Sequence, residues 1–240
     1  MADARDGDGR SAAAGWTRWA IAGCGAAVLF AVLAVVVALR DGRPLPGDLG
    51  LHDWSVAHRP DAMRTVAVAI TDTGTGIVPY LVALAAGALA GAALPGMVWA
   101  APRGGTGWVW RVWGALAALV LLVVVQLVRS GLMSWVGRPR PPMRDWVGHP
   151  SGMSFPSGHT TTSAMAALLL IVAALSVLRG AARAVVVTVA AVWAVLVGLT
   201  RIYLGVHWPT DVLGGWLLVA AIGCFVGVLS RRRTKQDAQA

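Results

Sequence analysis

The 240-residue chain reads as an all-α, polytopic membrane protein on three observations. Of its residues 57% are hydrophobic, only 13% are charged, and the apolar residues fall into six long runs separated by short polar segments. Even a well-packed soluble globule covers its surface with charge, so this balance, with a mean hydropathy of +0.69, excludes an ordinary soluble domain. A bilayer core of about 30 Å needs roughly 20 apolar residues in a helix. The runs Trp19–Leu39, Ile77–Trp99, Val112–Trp135, Thr160–Leu178, Ala184–Thr200 and Val212–Ser230 approach that length, and only the third holds a charge, Arg129.

The first run is too long for the apolar core of a signal peptide and has no convincing small-residue cleavage site, so it reads as a retained first helix. The expected organisation is one six-helix unit over 19–230, with an N-terminal tail over 1–18 and a basic tail over 231–240. Between the runs, residues 40–76 carry Pro44, Pro46 and Gly47, then an amphipathic stretch, Trp54 to Ile70, expected to lie along the membrane interface. The segment 137–159 is rich in Pro, Gly, Arg and His. The tryptophans gather near the ends of the runs, as an aromatic belt does.

The net charge of +9 comes from nineteen Arg and one Lys against eleven Asp and no Glu. These cations are dispersed between apolar runs rather than gathered on one stripe, which argues against a nucleic-acid partner. Cys24 and Cys224 both lie inside apolar runs, so neither a disulfide framework nor a zinc site is implied. Six crossings put both termini on one side. Arg231-Arg232-Arg233 directly after the last run, with Arg5, Arg10, Arg18, Arg103, Arg111, Arg179, Arg183 and Lys235, sets that side as cytoplasmic.

Alternating direction then brings four helix ends to the outer face. Run three ends near Arg138-Pro139-Arg140-Pro141, and run four begins after Pro156-Ser157-Gly158-His159. Run five ends at Thr200-Arg201, and run six begins after His207-Trp208-Pro209-Thr210-Asp211. His207 and Asp211 are four apart, so the carboxylate can orient one imidazole nitrogen and leave the other free as a nucleophile. Arg140 and Arg201 offer planar forks suited to phosphoryl oxygens. Ser157 and Gly158 open a helix, where free N–H groups favour an anion. His159 could donate a proton to a leaving oxygen. Together these describe phosphoryl transfer: fixed positive charge, a nucleophile with its orienter, and an acid.

The pattern Pro156-Ser157-Gly158-His159, followed by Arg201, five residues, His207, three residues and Asp211, resembles the second and third signature motifs of the type 2 phosphatidic acid phosphatase (PAP2) superfamily. Thr71-Asp72-Thr73-Gly74 is similar to a family loop. The resemblance implies a six-helix membrane core and a metal-independent lipid phosphatase. In that scheme His207 attacks phosphorus to form a phosphohistidine and Asp211 orients it. His159 protonates the leaving alkoxide and then activates water, while Arg140, Arg201, Ser157 and Gly158 hold the phosphate. The implied partners are membrane lipids and a substrate such as phosphatidic acid, phosphatidylglycerol phosphate or a polyprenyl diphosphate; oligomeric state is left open.

Two positions depart from the family pattern. Thr200 stands where serine is usual and keeps the hydroxyl. Met133 stands where the first motif has lysine, seven residues before Arg140, so one phosphate-binding cation is displaced. Arg129, one helical turn earlier, or Arg138 are the candidate substitutes; Arg129 could equally snorkel to the interface, and Arg138 could contact headgroups. His52, His58 and His149 read as loop residues, and Met153 and Phe155 as packing. A serine hydrolase using Ser154 or Ser157 lacks the Gly-x-Ser-x-Gly elbow. An inactive relative that binds or transports lipid phosphates is the alternative that Met133 keeps open.

Overall fold

As far as they are described, the six apolar runs fall on helices. The computed structural model describes residues 3–93 and 107–237, with side chains over 17–91 and 107–225. The helices are α1 (Asp3–Leu39), α2 (Asp48–Ala57), α3 (Asp61–Asp72), α4 (Ile77–Ala93), α5 (Gly107–Val136), α6 (Gly158–Val177), α7 (Gly180–Tyr203) and α8 (Pro209–Asp237). A single 3-10 turn, Met143–Asp145, lies between α5 and α6. The end of the second run, and Arg103, fall outside the described residues. So do the side chains of Arg5, Arg10, Arg231, Arg232, Arg233 and Lys235.

Among the described residues four helices are long and apolar enough to cross a bilayer on their own: Thr17–Leu39 of α1, then α5, α6 and α7. A fifth span is formed if α3 and α4, bent by 47° at their junction, are taken together, and Pro209–Phe225 of α8 is a shorter apolar helix. Leu29, Val120, Leu127, Val185 and Val189 point outward, exposed, as residues facing lipid tails do. Trp108 and Trp135, at the two ends of α5, are exposed as well, where an aromatic belt would sit.

Lipid tails are as apolar as leucine, so helix contacts in a membrane depend on close packing of small residues. Gly87 and Gly91 of α4 lie against Gly114 and Ala118 of α5, with no room for a Cβ at any of the three glycines. At Gly23, α1 meets Cys224 of α8, and at Gly198, α7 takes the indole of Trp216. Helix α6 is the most enclosed of the spans and packs on α4, α5, α7 and α8. Its first turns are polar yet buried. Thr161 and Thr162 return their hydroxyl protons to the carbonyls of Ser157 and Gly158, at 2.8 Å each, which satisfies them inside the helix.

The amphipathic stretch falls on the end of α2 and on α3. The two helices are separated at His58–Pro60 because proline has no N–H to continue the helix. Helix α3 then runs on into α4. Leu49, Leu51 and Trp54 of α2 are exposed, whereas Asp48, His52 and Ser55 are buried against the bundle.

The C-terminal ends of α1, α5 and α7 and the N-terminal ends of α4, α6 and α8 meet at one end of the bundle. Arg138 donates to the Gly42 carbonyl just past α1, Thr75 before α4 contacts His159, and Ser157 N–H donates to the Asp211 carbonyl at 3.1 Å. The four ends that sequence direction brings together are joined there by those of α1 and α4.

Candidate functional site

His207 sits in the short connection between α7 and α8, fully buried, where left-handed Gly205 (φ +71°) turns the chain. Its Nδ1 lies 3.3 Å from Asp211 Oδ2, and its Nε2 lies 2.9 Å from Arg140 Nη1. A guanidinium has only donors, so Nε2 is the acceptor and the ring proton is on Nδ1, facing the carboxylate. The Nε2 lone pair therefore points toward Arg140 and accepts its N–H. Asp211 Oδ2 also accepts the Trp208 N–H at 2.8 Å, so the same carboxylate caps α8 and orients the imidazole. Burial pushes the His207 imidazole down to about 4, against the opposing pull of Asp211, and the neighbouring guanidinium groups of Arg140 and Arg201 push the same way as burial. The ring is neutral at pH 7.

Arg140 is held by three main-chain carbonyls, those of Gly152, Val206 and Ser151, at 3.0, 2.9 and 2.8 Å. That leaves its charge uncompensated by any carboxylate contact. Arg201, buried at the end of α7, donates to Thr71 Oγ1 at 2.9 Å, and its Nε has no partner. His159, at the start of α6, lies 3.3 Å from Thr75 Oγ1. The charges acting on His159 are those of Arg201, Arg140 and Arg129, with His207 also within electrostatic reach. The structure thus brings His159, His207, Asp211, Arg140 and Arg201 to one place.

The Thr71-Asp72-Thr73-Gly74 segment closes that place from the α3–α4 bend. Thr71 and Thr75 hold Arg201 and His159, and Thr73 accepts the Trp193 indole N–H at 2.8 Å. Gly74 lies so close to Val197 that a side chain would not fit.

Ser157 and Gly158 are at the N-terminus of α6, but the Ser157 hydroxyl is buried and accepts from Thr160 at 3.0 Å. Gly158 is covered by the Arg129 guanidinium, whose Cζ would be 3.3 Å from any Cβ there. Arg129 Nη1 rests on Met133 Sδ at 3.1 Å and Nη2 on Ser130 Oγ at 3.1 Å, while Nε has no partner. Arg129 thus lies over the α6 N-terminus, beside the residue that stands in place of the motif lysine. Among the described residues no carboxylate pairs with Arg129, Arg140 or Arg201. Three guanidinium groups around two histidines, with no counter-charge in contact, form a site for an anion with several oxygens.

Arg138 is a correction. It neither substitutes for the lysine nor contacts headgroups. It is completely buried, with Nη1 on Asp211 Oδ1 and Nη2 on Asp48 Oδ2, both at 2.6 Å, and its charge is committed to those two carboxylates. His52 is a second correction: it is no loop residue but lies buried on α2, bonded to Asp145 at 3.2 Å, its ring beside Trp208. Phe155 packs against Phe30 as expected, whereas Met153 is exposed. Ser154 and Ser157 have no histidine among their described partners; Ser154 donates to the carbonyls of Arg138 and Pro139. Asp48 escaped sequence reading altogether, although Asp48, His52 and Ser55 form a polar stripe at helical spacing that could have flagged it.

Residues 111–235 match the family model described as the PAP2 superfamily. The chain is 39% identical over 111 residues to phosphatidylglycerophosphatase B of Bacillus subtilis, a match covering 45% of this chain and 54% of that protein. The chain thus spans about half the length of that curated relative. It is 33% identical over 164 residues to decaprenylphosphoryl-5-phosphoribose phosphatase of Mycolicibacterium smegmatis, covering 67% of this chain and 75% of that one. A crystal structure of a transmembrane PAP2 type phosphatidylglycerolphosphate phosphatase from Bacillus subtilis superposes with a TM-score of 0.66 at 26% identity, over 88% of this chain and 96% of that chain. With the histidine, aspartate and arginine set gathered at one end of a helical membrane bundle, these likenesses have a single reading: the chain belongs to the PAP2 superfamily.

Proposed function

We propose that the protein is a metal-independent membrane phosphatase that hydrolyses the phosphomonoester or diphosphate group of a lipid. The observation that carries this reading is the His207 imidazole, held with Nδ1 on Asp211 and the Nε2 lone pair facing Arg140. In the first step Nε2 attacks phosphorus, the P–O bond to the lipid breaks, and protonated His159 delivers its proton to the departing oxygen. In the second step His159 takes a proton from water, the hydroxide attacks phosphorus, and the P–N bond breaks to release phosphate. Asp211 stabilises the positive imidazole formed in between. Arg140, Arg201 and Arg129, with the α6 N-terminus at Gly158, hold the phosphoryl oxygens and offset the charge that builds on them.

An amphiphilic substrate is supported by the surroundings. An apolar groove of about 390 Å³ between α2, α3 and α7 is lined by Trp54, Ile70, Leu199 and Thr200, close in sequence to Thr71 and Arg201, and suits a lipid chain. The names of the relatives point to phosphatidylglycerol phosphate and to phosphorylated polyprenyl carriers as the first substrates to try. We place the site on the extracytoplasmic face with both termini in the cytoplasm.

The test is phosphate release by the purified full chain from phosphatidylglycerol phosphate, phosphatidic acid and undecaprenyl diphosphate, with and without a chelator. Turnover of at least one substrate, unchanged by chelator and reduced by about a thousandfold or more in His207→Ala, is expected. No turnover of any lipid phosphate would favour the binding or transport alternative.

A further inference from the structure

Asp211 does not stand alone beneath His207. Its Oδ1 is bonded to Arg138 Nη1 at 2.6 Å, and both side chains are completely buried. A neutral pair of that kind would leave Asp211 little charge to lend the imidazole, because a guanidinium at contact distance offsets the carboxylate almost fully. Arg138, however, is shared. Its Nη2 is bonded to Asp48 Oδ2, again at 2.6 Å and buried. Asp48 is itself fixed by the Leu45 N–H at 2.9 Å, the Thr210 N–H at 3.0 Å and the Thr210 hydroxyl. Thr210 lies next to Asp211 in the chain and also contacts Arg138, at 2.7 Å.

We infer that Asp48 on α2 is a positioning residue for the His207–Asp211 pair: by competing for Arg138 it fixes the Asp211 carboxylate and keeps a net negative charge beneath the imidazole. The two carboxylates and one guanidinium sum to −1, and that surplus stabilises the positive charge His207 acquires when its Nε2 bonds to phosphorus. The inference rests on the nucleophilic role proposed for His207, but its geometry involves a helix outside the segment that matches the family model.

Desolvation fits this reading. Burying one arginine against one carboxylate seldom gains much, and each charge left without a partner is costly. Here every described polar atom of Asp48 and Arg138 has a partner, so the cluster is a closed network rather than an accidental ion pair. The groups that face His207 from the surrounding elements are Asp211 of α8, Arg140 from the α5–α6 connection, Arg201 of α7 and His159 of α6. Arg129 of α5 lies further round the site, and Arg138 and Asp48 act from below through Asp211. Of these only Asp211 and Asp48 carry negative charge, so removing either changes the balance in one direction.

The test is Asp48→Asn in the full chain, which keeps the size and several hydrogen bonds of the residue while removing its charge. Expected are a fall in kcat of about tenfold or more with KM little changed, and movement of the acid limb of the pH–kcat/KM profile to lower pH by roughly half a unit to one unit. Asp48→Glu, which restores the charge, is expected to recover part of kcat and return the limb. A parallel measurement needs no turnover: the His207 imidazole, assigned by its absence in His207→Ala, is titrated by histidine-labelled NMR in wild type and Asp48→Asn, and its pKa falls in the variant. A limb and an imidazole titration that do not move would reduce Asp48 to a packing residue and overturn the inference. If Asp48→Asn does not fold, Thr210→Val removes a hydroxyl that both Asp48 and Arg138 use; an unmoved His207 titration in that variant counts against the network as well. Wild type without activity toward any lipid phosphate would instead defeat the proposed function, and the NMR titration would still decide the role of Asp48.

Discussion

Two arginines nine residues apart, Arg129 and Arg138, show how little residue type says about role until its neighbours are known. Both were candidates to replace the cation missing at Met133. Arg138 is enclosed by Asp48 and Asp211, so its charge serves the protein. Arg129 has no carboxylate in contact among the described residues, touches Met133 and lies over Gly158, so its charge is available to a ligand. If Arg129 takes the part of the displaced lysine, Arg129→Met should lower kcat/KM about tenfold to a hundredfold, the worth of one charge-assisted contact of about 1.5–3 kcal/mol. Met133→Lys placed in that background should restore much of the loss, because positions 129 and 133 are one turn apart on one helix face. Steady-state kinetics on the two single variants and the double variant check this; a double variant no better than Arg129→Met would show that position 133 cannot take up the cation. The motif residues were legible in the sequence because His207 and Asp211 are four apart and local. Arg138 was not, since its partners are 90 and 73 residues away.

Helices were the most legible elements, because a run of apolar residues near twenty long has few other folds in a membrane. The short helices were less so. Helix α2 mixes Leu49, Leu51 and Trp54 with Asp48, His52 and Ser55, and its polar stripe is the buried side. In a bilayer the usual inside and outside exchange: the apolar face meets lipid and the polar face meets the bundle. Between helices the limiting feature is space. At the α4–α5 contact Gly114 faces the Gly87 carbonyl too closely for any side chain. Gly114→Val is therefore expected to destabilise the chain by about 1–3 kcal/mol or more, and to lower its apparent melting temperature in detergent. Gly25 of α1, where an added Cβ would meet nothing within 4 Å, is the contrast: Gly25→Ala should leave the melting temperature unchanged or slightly raised, since alanine favours helix by about 1 kcal/mol. Equal effects of the two substitutions would mean that helix propensity, not close packing, governs this contact.

At the scale of the whole molecule, the site is a consequence of connectivity. Residues from α2, the α3–α4 bend, α5, α6, α7 and α8 reach it because consecutive helices run in alternate directions and all present their ends to one face. The proposal that this face is extracytoplasmic rests on arginine placement, and the chain lends itself to a direct measurement. Cys24 and Cys224 are the native thiols and can be changed to alanine. In that background His149→Cys marks the exposed connection between α5 and α6 at the site end, and Ala240→Cys marks the C-terminal tail that follows Arg231-Arg232-Arg233. With the site outward and the tail cytoplasmic, a membrane-impermeant maleimide added to intact cells should label the first variant and leave the second untouched until the cells are lysed. The reverse pattern would turn the molecule over. It would also remove extracytoplasmic lipid phosphates from consideration as substrates, because a phosphate group cannot cross the hydrocarbon core to reach guanidinium groups fixed on the other side.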